Sequence, residues 1–340
     1  MMLVWAMGMR RGELPPKDCC MVWNALVRPV LEYVAVVWGD VVWEEAEAVQ
    51  REMGKMILRC SSKMANEVVL GELGWWTLKA RRDLLRLKFW GKIVSRMSSS
   101  RLVKQVYEHS RALYEAGQKS RWCKYTHALL QELGMEEIWQ QGTIECDEKT
   151  WDKELREKIQ EREEKEWRER MNTKPKLRTY RTLKQTLKFE PYLKHDDPQA
   201  REIMTRLRGG TNELRIETGR YPNTNRDRRL EPHERRCLLC MSGEIEDEKH
   251  FVLQCVLYED LRKKMFDVVK TERLKKNEEI EDILGSEVGR QRIFRALMGD
   301  GGEVEDGGGR AELRRVALEF CRQAMRRRNK VVLYDLDQRT

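Results

Sequence analysis

Residues 77–97 read TLKARRDLLRLKFWGKIVSRM, and the spacing within this stretch decides the kind of fold to expect. Leu78, Leu84, Leu85, Leu87, Phe89, Trp90 and Ile93 recur at helical intervals, with basic residues set around them. Working outward, Ala46, Val49, Met53, Met56 and Ile57 repeat the same period and predict a helix beginning at Glu44. Further helices are expected over 101–116 and 120–134. Residues 151–171, WDKELREKIQEREEKEWRERM, keep a narrow apolar seam of Trp151, Leu155, Ile159 and Trp167 inside alternating charge. That pattern reads as a solvated helix laced with i,i+4 ion pairs. Pro175 should end it, with shorter helices over 176–188 and 198–208. The fold class expected is mainly α. Only 30–43, an apolar run after Pro29, does not separate strand from buried helix by its pattern.

The rest of the chain sets bounds on function. Its 340 residues allow two or three domains. Lys and Arg number 66 against 57 Asp and Glu, a formal net charge of +9, which points weakly to a polyanionic partner. Eleven Trp argue against general disorder. No apolar run reaches the ~18–20 residues of a membrane helix, and the N-terminal MMLVWAMGMRR has its basic pair on the wrong side for a secretory signal. The expected setting is therefore the nucleus or cytoplasm, with no membrane partner. Nine cysteines without a secretory context are expected as reduced thiols, so close Cys/His spacing is read as metal binding before disulfide.

Punctuation and charge divide the C-terminal half. Gly209-Gly210 suggests a boundary, and 299–309, GDGGEVEDGGG, a flexible acidic linker. Beyond it, Leu313, Val316, Ala317, Phe320, Cys321 and Ala324 make an apolar stripe, opposed by Arg314, Arg315, Arg322, Arg326, Arg327, Arg328 and Lys330. The expected division is 1–43, a helical region 44–210, a metal-binding domain 211–270, a helical extension 271–298, the linker, and a basic amphipathic helix with its tail in 310–340.

One constellation carries chemistry. Cys237-Leu238-Leu239-Cys240 is followed by His250 and Cys255, giving C-x2-C-x9-H-x4-C. A C-x2-C turn presents two thiolates to one ion, and the H-x4-C arm completes a tetrahedron. Three sulfurs and one nitrogen describe a closed structural site for one Zn2+, with no position left for catalytic water. His233, four residues before Cys237, is a competing ligand. So small a segment lacks its own core, and the metal is expected to supply most of its stability. Leu238, Leu239, Phe251, Val252 and Leu253 are the expected apolar shell. Around the knuckle, Arg220, Arg226, Arg228, Arg229, Arg235 and Arg236, with Tyr221 among them, are the candidate contacts to RNA or DNA, guanidinium for phosphate and ring for base. Motifs for nucleotide-phosphate loops, serine nucleophile elbows and H-E-x-x-H metal sites are missing, and Asp196-Asp197 is the only pair of adjacent aspartates.

Three stretches together resemble a known family. Leu26-Val27-Arg28-Pro29-Val30-Leu31-Glu32-Tyr33, ending at Val37-Trp38-Gly39, is similar to the segment closing the polymerase domain of jockey-like non-LTR retrotransposon reverse transcriptases. Leu70-Gly71-Glu72-Leu73-Gly74 with Arg81-Arg82 resembles the helical region that follows. Ile216-Glu217-Thr218-Gly219-Arg220-Tyr221, Arg236-Cys237-Leu238-Leu239-Cys240 and Glu246-Asp247-Glu248-Lys249-His250-Phe251-Val252-Leu253-Gln254-Cys255 resemble its zinc-binding tail, except that Val256 stands where the family has Pro.

The resemblance implies a remnant of a reverse transcriptase palm in 1–43, a thumb and connector in 44–210 and a CCHC zinc domain in 211–270. The family's catalytic motif is of Tyr-x-Asp-Asp type, and none occurs in these residues, nor does enough chain precede Arg28 to hold a palm. No catalytic residue is therefore assigned. The expected function is nucleic-acid binding by a C-terminal part of an RNA-directed DNA polymerase that does not polymerise alone. Its expected partners are RNA or DNA and the polymerase region that would precede it. The alternative is a zinc-stabilised helical scaffold for protein partners.

Overall fold

The computed structural model describes residues 14–222, 228–273, 279–299 and 309–337. Among them the chain is mainly helical, with no β-strand and two isolated bridges. Helices of eight residues or more are numbered here: α1 Glu44–Ile57, α2 Asn66–Leu73, α3 Leu78–Arg96, α4 Leu102–Glu115, α5 Arg121–Glu132, α6 Glu148–Asn172, α7 Pro198–Arg208, α8 Glu259–Arg273, α9 Glu287–Met298 and α10 Gly309–Asp337. Backbone proximity separates two compact units, one comprising Met21–Met53 and Trp75–Arg170, the other Met1–Cys20, Gly54–Gly74 and Met171–Thr340.

In the unit holding Trp75–Arg170, α3 begins where Thr77 Oγ1 accepts from the Ala80 amide at 3.2 Å, an N-cap that satisfies one of the helix's free donors. Its apolar face packs with α4, α5 and α6 into an aromatic core centred on Trp90. That ring stacks on Trp139 at 6.0 Å, lies 6.2 Å from Trp151, and donates its N–H to Tyr107 Oη at 3.0 Å. Gly91 permits this approach, since a Cβ there would lie 2.4 Å from Trp151 Nε1. The seam of α6 is buried as its spacing requires, with Trp151, Leu155, Ile159 and Trp167 at 3% exposure or less.

Two details depart from the sequence reading of this unit. Arg82 and Arg86 of α3 are fully buried instead of ringing the helix, because Trp38, Trp122 and Tyr125 cover them. Arg82 lies 5.5 Å from the Trp38 ring centre, and Arg86 lies 5.0 Å from that of Tyr125 and 3.3 Å from Asp40. Residues 30–43 resolve as short helical turns, Arg28–Leu31 and Ala35–Trp38, divided by Val34 in a left-handed conformation at φ 51°. Val30, Tyr33, Val37 and Val42 on this stretch stay more than half exposed.

The second unit is organised by α10. Its stripe from Leu313 to Ala324 is buried, and the helix packs against α7 and α8. Asp197 caps α7, accepting from the Gln199 and Ala200 amides, and pairs with Arg322 at 3.1 Å. Of the two adjacent aspartates, Asp197 thus serves as a helix cap. Beneath lies a buried ionic cluster in which Glu72 Oε1 receives Arg208 Nε and Nη2, and Glu190 receives Lys184. This cluster explains why the helix expected over 176–188 stops at Leu183. Leu73 and Phe189 form an antiparallel bridge, and the Glu190 amide donates to the Glu72 carbonyl, so tertiary pairing outcompetes helix propensity.

Two expected boundaries move. Gly209-Gly210 is a packed corner: Gly210 has φ +63°, and a Cβ on it would meet the Lys176 carbonyl at 2.7 Å. The expected region 44–210 is divided between the two units, and 211–270 packs together with 54–74, 171–210 and α10. Within the expected linker 299–309, residues 300–308 lie outside the described residues.

Candidate metal centre

The chain folds into a short hairpin to bring the first two ligands together. Arg236 bridges Ile245 antiparallel, the Cys237 amide donates to the Glu244 carbonyl at 2.7 Å, and the Glu246 amide donates to the Arg235 carbonyl at 2.9 Å. The hairpin tip turns at Met241 and Gly243, both at positive φ. Ser242 Oγ sits 3.1 Å from Cys240 Sγ, and the hydroxyl accepts from the Glu244 amide. The other two ligands lie at the ends of a single wide helical turn, His250–Gln254. Its closing bond runs from the Cys255 amide to the His250 carbonyl at 2.8 Å, which places the H-x4-C pair on one side. Asp247 Oδ1 accepts from the His250 amide at 2.8 Å and starts this turn.

These two pieces bring Cys237, Cys240, His250 and Cys255 together, with their ligand atoms all within 4.8 Å of one another. Cys237, His250 and Cys255 are buried and Cys240 is half-buried. Cys240 Sγ lies 3.3 Å from His250 Nε2, so the ring presents that nitrogen inward. A tetrahedral ion with bonds of ~2.3 Å to sulfur and ~2.0 Å to nitrogen would hold such a pair about 3.5 Å apart, and the observed spacing is near that. The thiols also act on one another. The hydrogen bond from Cys255 stabilises the Cys237 thiolate and pulls its pKa well down, against the opposing effect of burial. The same bond, with burial, pushes Cys255 up. Among the described residues this is the cluster whose donors suit one soft metal ion. His233 is exposed and is not part of it.

The surroundings of the site were not visible in its spacing. Arg262 of α8 is 4% exposed, and it donates to the carbonyls of Val252 and Cys255, both at 2.8 Å. It thereby clamps the turn that carries two ligands. Glu246 takes both nitrogens of Arg328 from α10 at 2.7 and 3.0 Å and also the Arg215 amide. Glu248 accepts from Arg178, Thr179 and Asn212. Phe251 and Tyr258 meet Phe320 of α10. Phe251, Val252 and Leu253 are buried as expected, while Leu238 is 57% exposed and stands off the expected shell. The metal-binding segment therefore shares a core with the rest of its unit and does not depend on an ion alone.

The candidate nucleic-acid contacts divide. Arg235 is buried and gives its guanidinium to the Leu230 and Ile216 carbonyls, so it is a structural residue and leaves the contact set. Arg220 is half-buried and paired with Glu217 at 2.7 Å. Arg228 binds Glu234 through two bonds but stays exposed. Tyr221, Arg229 and Arg236 are exposed, and Arg226 lies outside the described residues. The basic face of α10 is also partly consumed: Arg322 pairs with Asp197, Arg327 with Asp260, and Arg328 with Glu246. None of the described helices is long and apolar enough to cross a membrane. No family model, no curated protein and no solved structure matches the chain.

Proposed function

We propose that this chain is a nucleic-acid-binding, zinc-stabilised C-terminal part of a non-LTR retrotransposon RNA-directed DNA polymerase, without the polymerase centre. The observation that carries the reading is the convergence of three thiol sulfurs and one imidazole nitrogen in a segment whose neighbours in sequence, Tyr221, Arg229 and Arg236, are exposed. A closed Cys3His donor set suits zinc, which here holds a hairpin to a helical turn and takes no part in a reaction. The exposed arginines and ring suit phosphate and base, and the three sequence stretches described above supply the family. The test is equilibrium binding of labelled single-stranded RNA and duplex DNA to the full chain across a salt series. With three or more phosphates engaged, log K should fall with log salt at a slope of about −2 or steeper. A flat response, or no binding at low salt, would defeat the proposal. Primer extension by the chain alone should give no incorporation.

A second reading, a protein-interaction scaffold, draws on the exposed Val30, Tyr33, Val37 and Val42. It predicts a stoichiometric protein partner in nuclease-treated extract and no salt-dependent binding of RNA.

A further inference from the structure

A cavity of about 310 Å³ lies in the same unit as the metal centre and shares none of its ligands. Its volume is at the lower end of that of small-ligand sites. One wall comes from the loop before α2, with Arg59, Ser61 and Lys63; another from Lys176 and the start of α7's C-terminal corner at Gly210; the rim carries Tyr221, 60% exposed.

The charges on these walls are not balanced locally. Glu202 is shared by Arg59 at 3.6 Å and Arg206 at 3.9 Å, and Arg206 also pairs with Glu213 at 2.7 Å. Glu217 is occupied by Arg178 and Arg220. Lys176 gives its Nζ to the Lys63 carbonyl at 2.9 Å, a neutral acceptor, and the Lys63 side chain projects to solvent. Burial is the main force lowering the Lys176 pKa; Glu217 opposes it, while Arg220 and Lys63 add to it. Two lysines and an exposed aromatic ring thus line one cavity, with one ammonium hydrogen-bonded to the backbone of the other lysine. An anion seated in the cavity would meet both lysines, and a ring on the same lining is where an attached base can stack.

We infer that this cavity is a phosphate site for single-stranded nucleic acid, in which Lys63 and Lys176 hold a backbone phosphate and Tyr221 stacks on the adjoining base. The inference rests on the nucleic-acid reading of the preceding subsection and adds a place and a strand state to it. The same chemistry could be presented by a free mononucleotide, so the experiment carries both ligands.

The full chain, with its metal bound, is titrated with a labelled ten-nucleotide oligouridylate and separately with uridine monophosphate. Lys63→Gln, Tyr221→Ala and Lys176→Gln are compared with the parent, and each variant's metal content and unfolding midpoint are recorded. Lys63 and Tyr221 are exposed, so these two variants keep the test valid should Lys176→Gln not fold. We expect each variant to bind the oligonucleotide at least fivefold more weakly. Lys63→Gln should also flatten the salt slope by about 0.7, the contribution of one single-strand phosphate. With 4-thiouridine in the strand, ultraviolet crosslinking should map to Tyr221. Oligonucleotide binding that is unchanged in Lys63→Gln and Tyr221→Ala overturns the cavity assignment and leaves the nucleic-acid reading standing. If the parent binds neither ligand, both fall. Uridine monophosphate binding as tightly as the oligonucleotide overturns the strand assignment and marks a mononucleotide site.

Discussion

At the residue scale, the ligands could be read from the sequence but the residue that steadies them could not. C-x2-C-x9-H-x4-C states its own geometry, because a knuckle and a helical turn are the short-range structures that bring such donors to one point. Arg262 carries no such mark. It lies one helical stretch beyond Cys255 in a charge-rich segment, and only folding reveals that its guanidinium is buried on the carbonyls of Val252 and Cys255. Removing it takes a side-chain donor from each of those carbonyls and lets the Cys255 end of the turn relax. We expect Arg262→Met to weaken metal binding by about 10–100-fold, as loss of an outer-shell partner commonly does, with the affinity read by competition against a chromophoric chelator. Unchanged affinity would mean that the turn holds its shape without the clamp. The reversed fate of Arg235 has the same origin. In the sequence it is one of several arginines near a knuckle; in the fold it is buried and closes a loop through two carbonyls. Sequence cannot separate an arginine that faces a ligand from one that faces backbone, because both need only a nearby acceptor.

At the element scale, long periodic segments were legible and short ones were not. The helices expected over 77–97, 101–116, 120–134 and 198–208 appear as α3, α4, α5 and α7 with ends shifted by a residue or two. Their apolar faces bury enough area to overrule any local preference, at roughly 1.5–3 kcal/mol per large side chain. The 176–188 segment is helical only to Leu183, because Lys184 turns into a buried ionic cluster and Phe189, just beyond the segment, bridges the distant Leu73. In α10 the apolar stripe was legible, whereas the use of its arginines was not. Arg328 and Glu246 form a buried, two-bond pair that ties α10 to the hairpin. Arg328→Met should cost about 3–5 kcal/mol, since it strands a buried carboxylate, and adding Glu246→Gln should recover part of that loss. Urea unfolding of the single and double variants measures both. Equal losses in the two would contradict a stranded carboxylate as the source of the cost. Arg327 and Asp260 add an exposed latch nearby, its carboxyl held at about 2 by the guanidinium. A lowered acid pKa stabilises the fold above the usual aspartate range, so this contribution is present at neutral pH and disappears as pH falls through about 2. Amide exchange of α10 should therefore respond to Asp260→Asn at pH 7, with the difference shrinking in strong acid.

At the scale of the whole molecule, composition pointed to a polyanion only weakly, and the structure shows why that signal was blunt. Much of the positive charge is spent inside the protein, on Glu72, Glu217, Glu246, Glu248 and Asp197, or on backbone carbonyls. Exposed basic residues are spread over both units, and among them are Arg229 and Arg236 beside or on the hairpin and Lys63 at the cavity. The two-unit division was not legible, because each unit is assembled from separated stretches and punctuation marks such as Gly209-Gly210 serve packing. The four candidate ligands and the residues proposed to contact nucleic acid lie within a single unit. The most direct test is the affinity of the full chain for single-stranded RNA before chelation, after removal of zinc, and after return of one equivalent. It predicts a loss of about tenfold or more on chelation and full recovery on return of the metal. Affinity that stays the same throughout would contradict it.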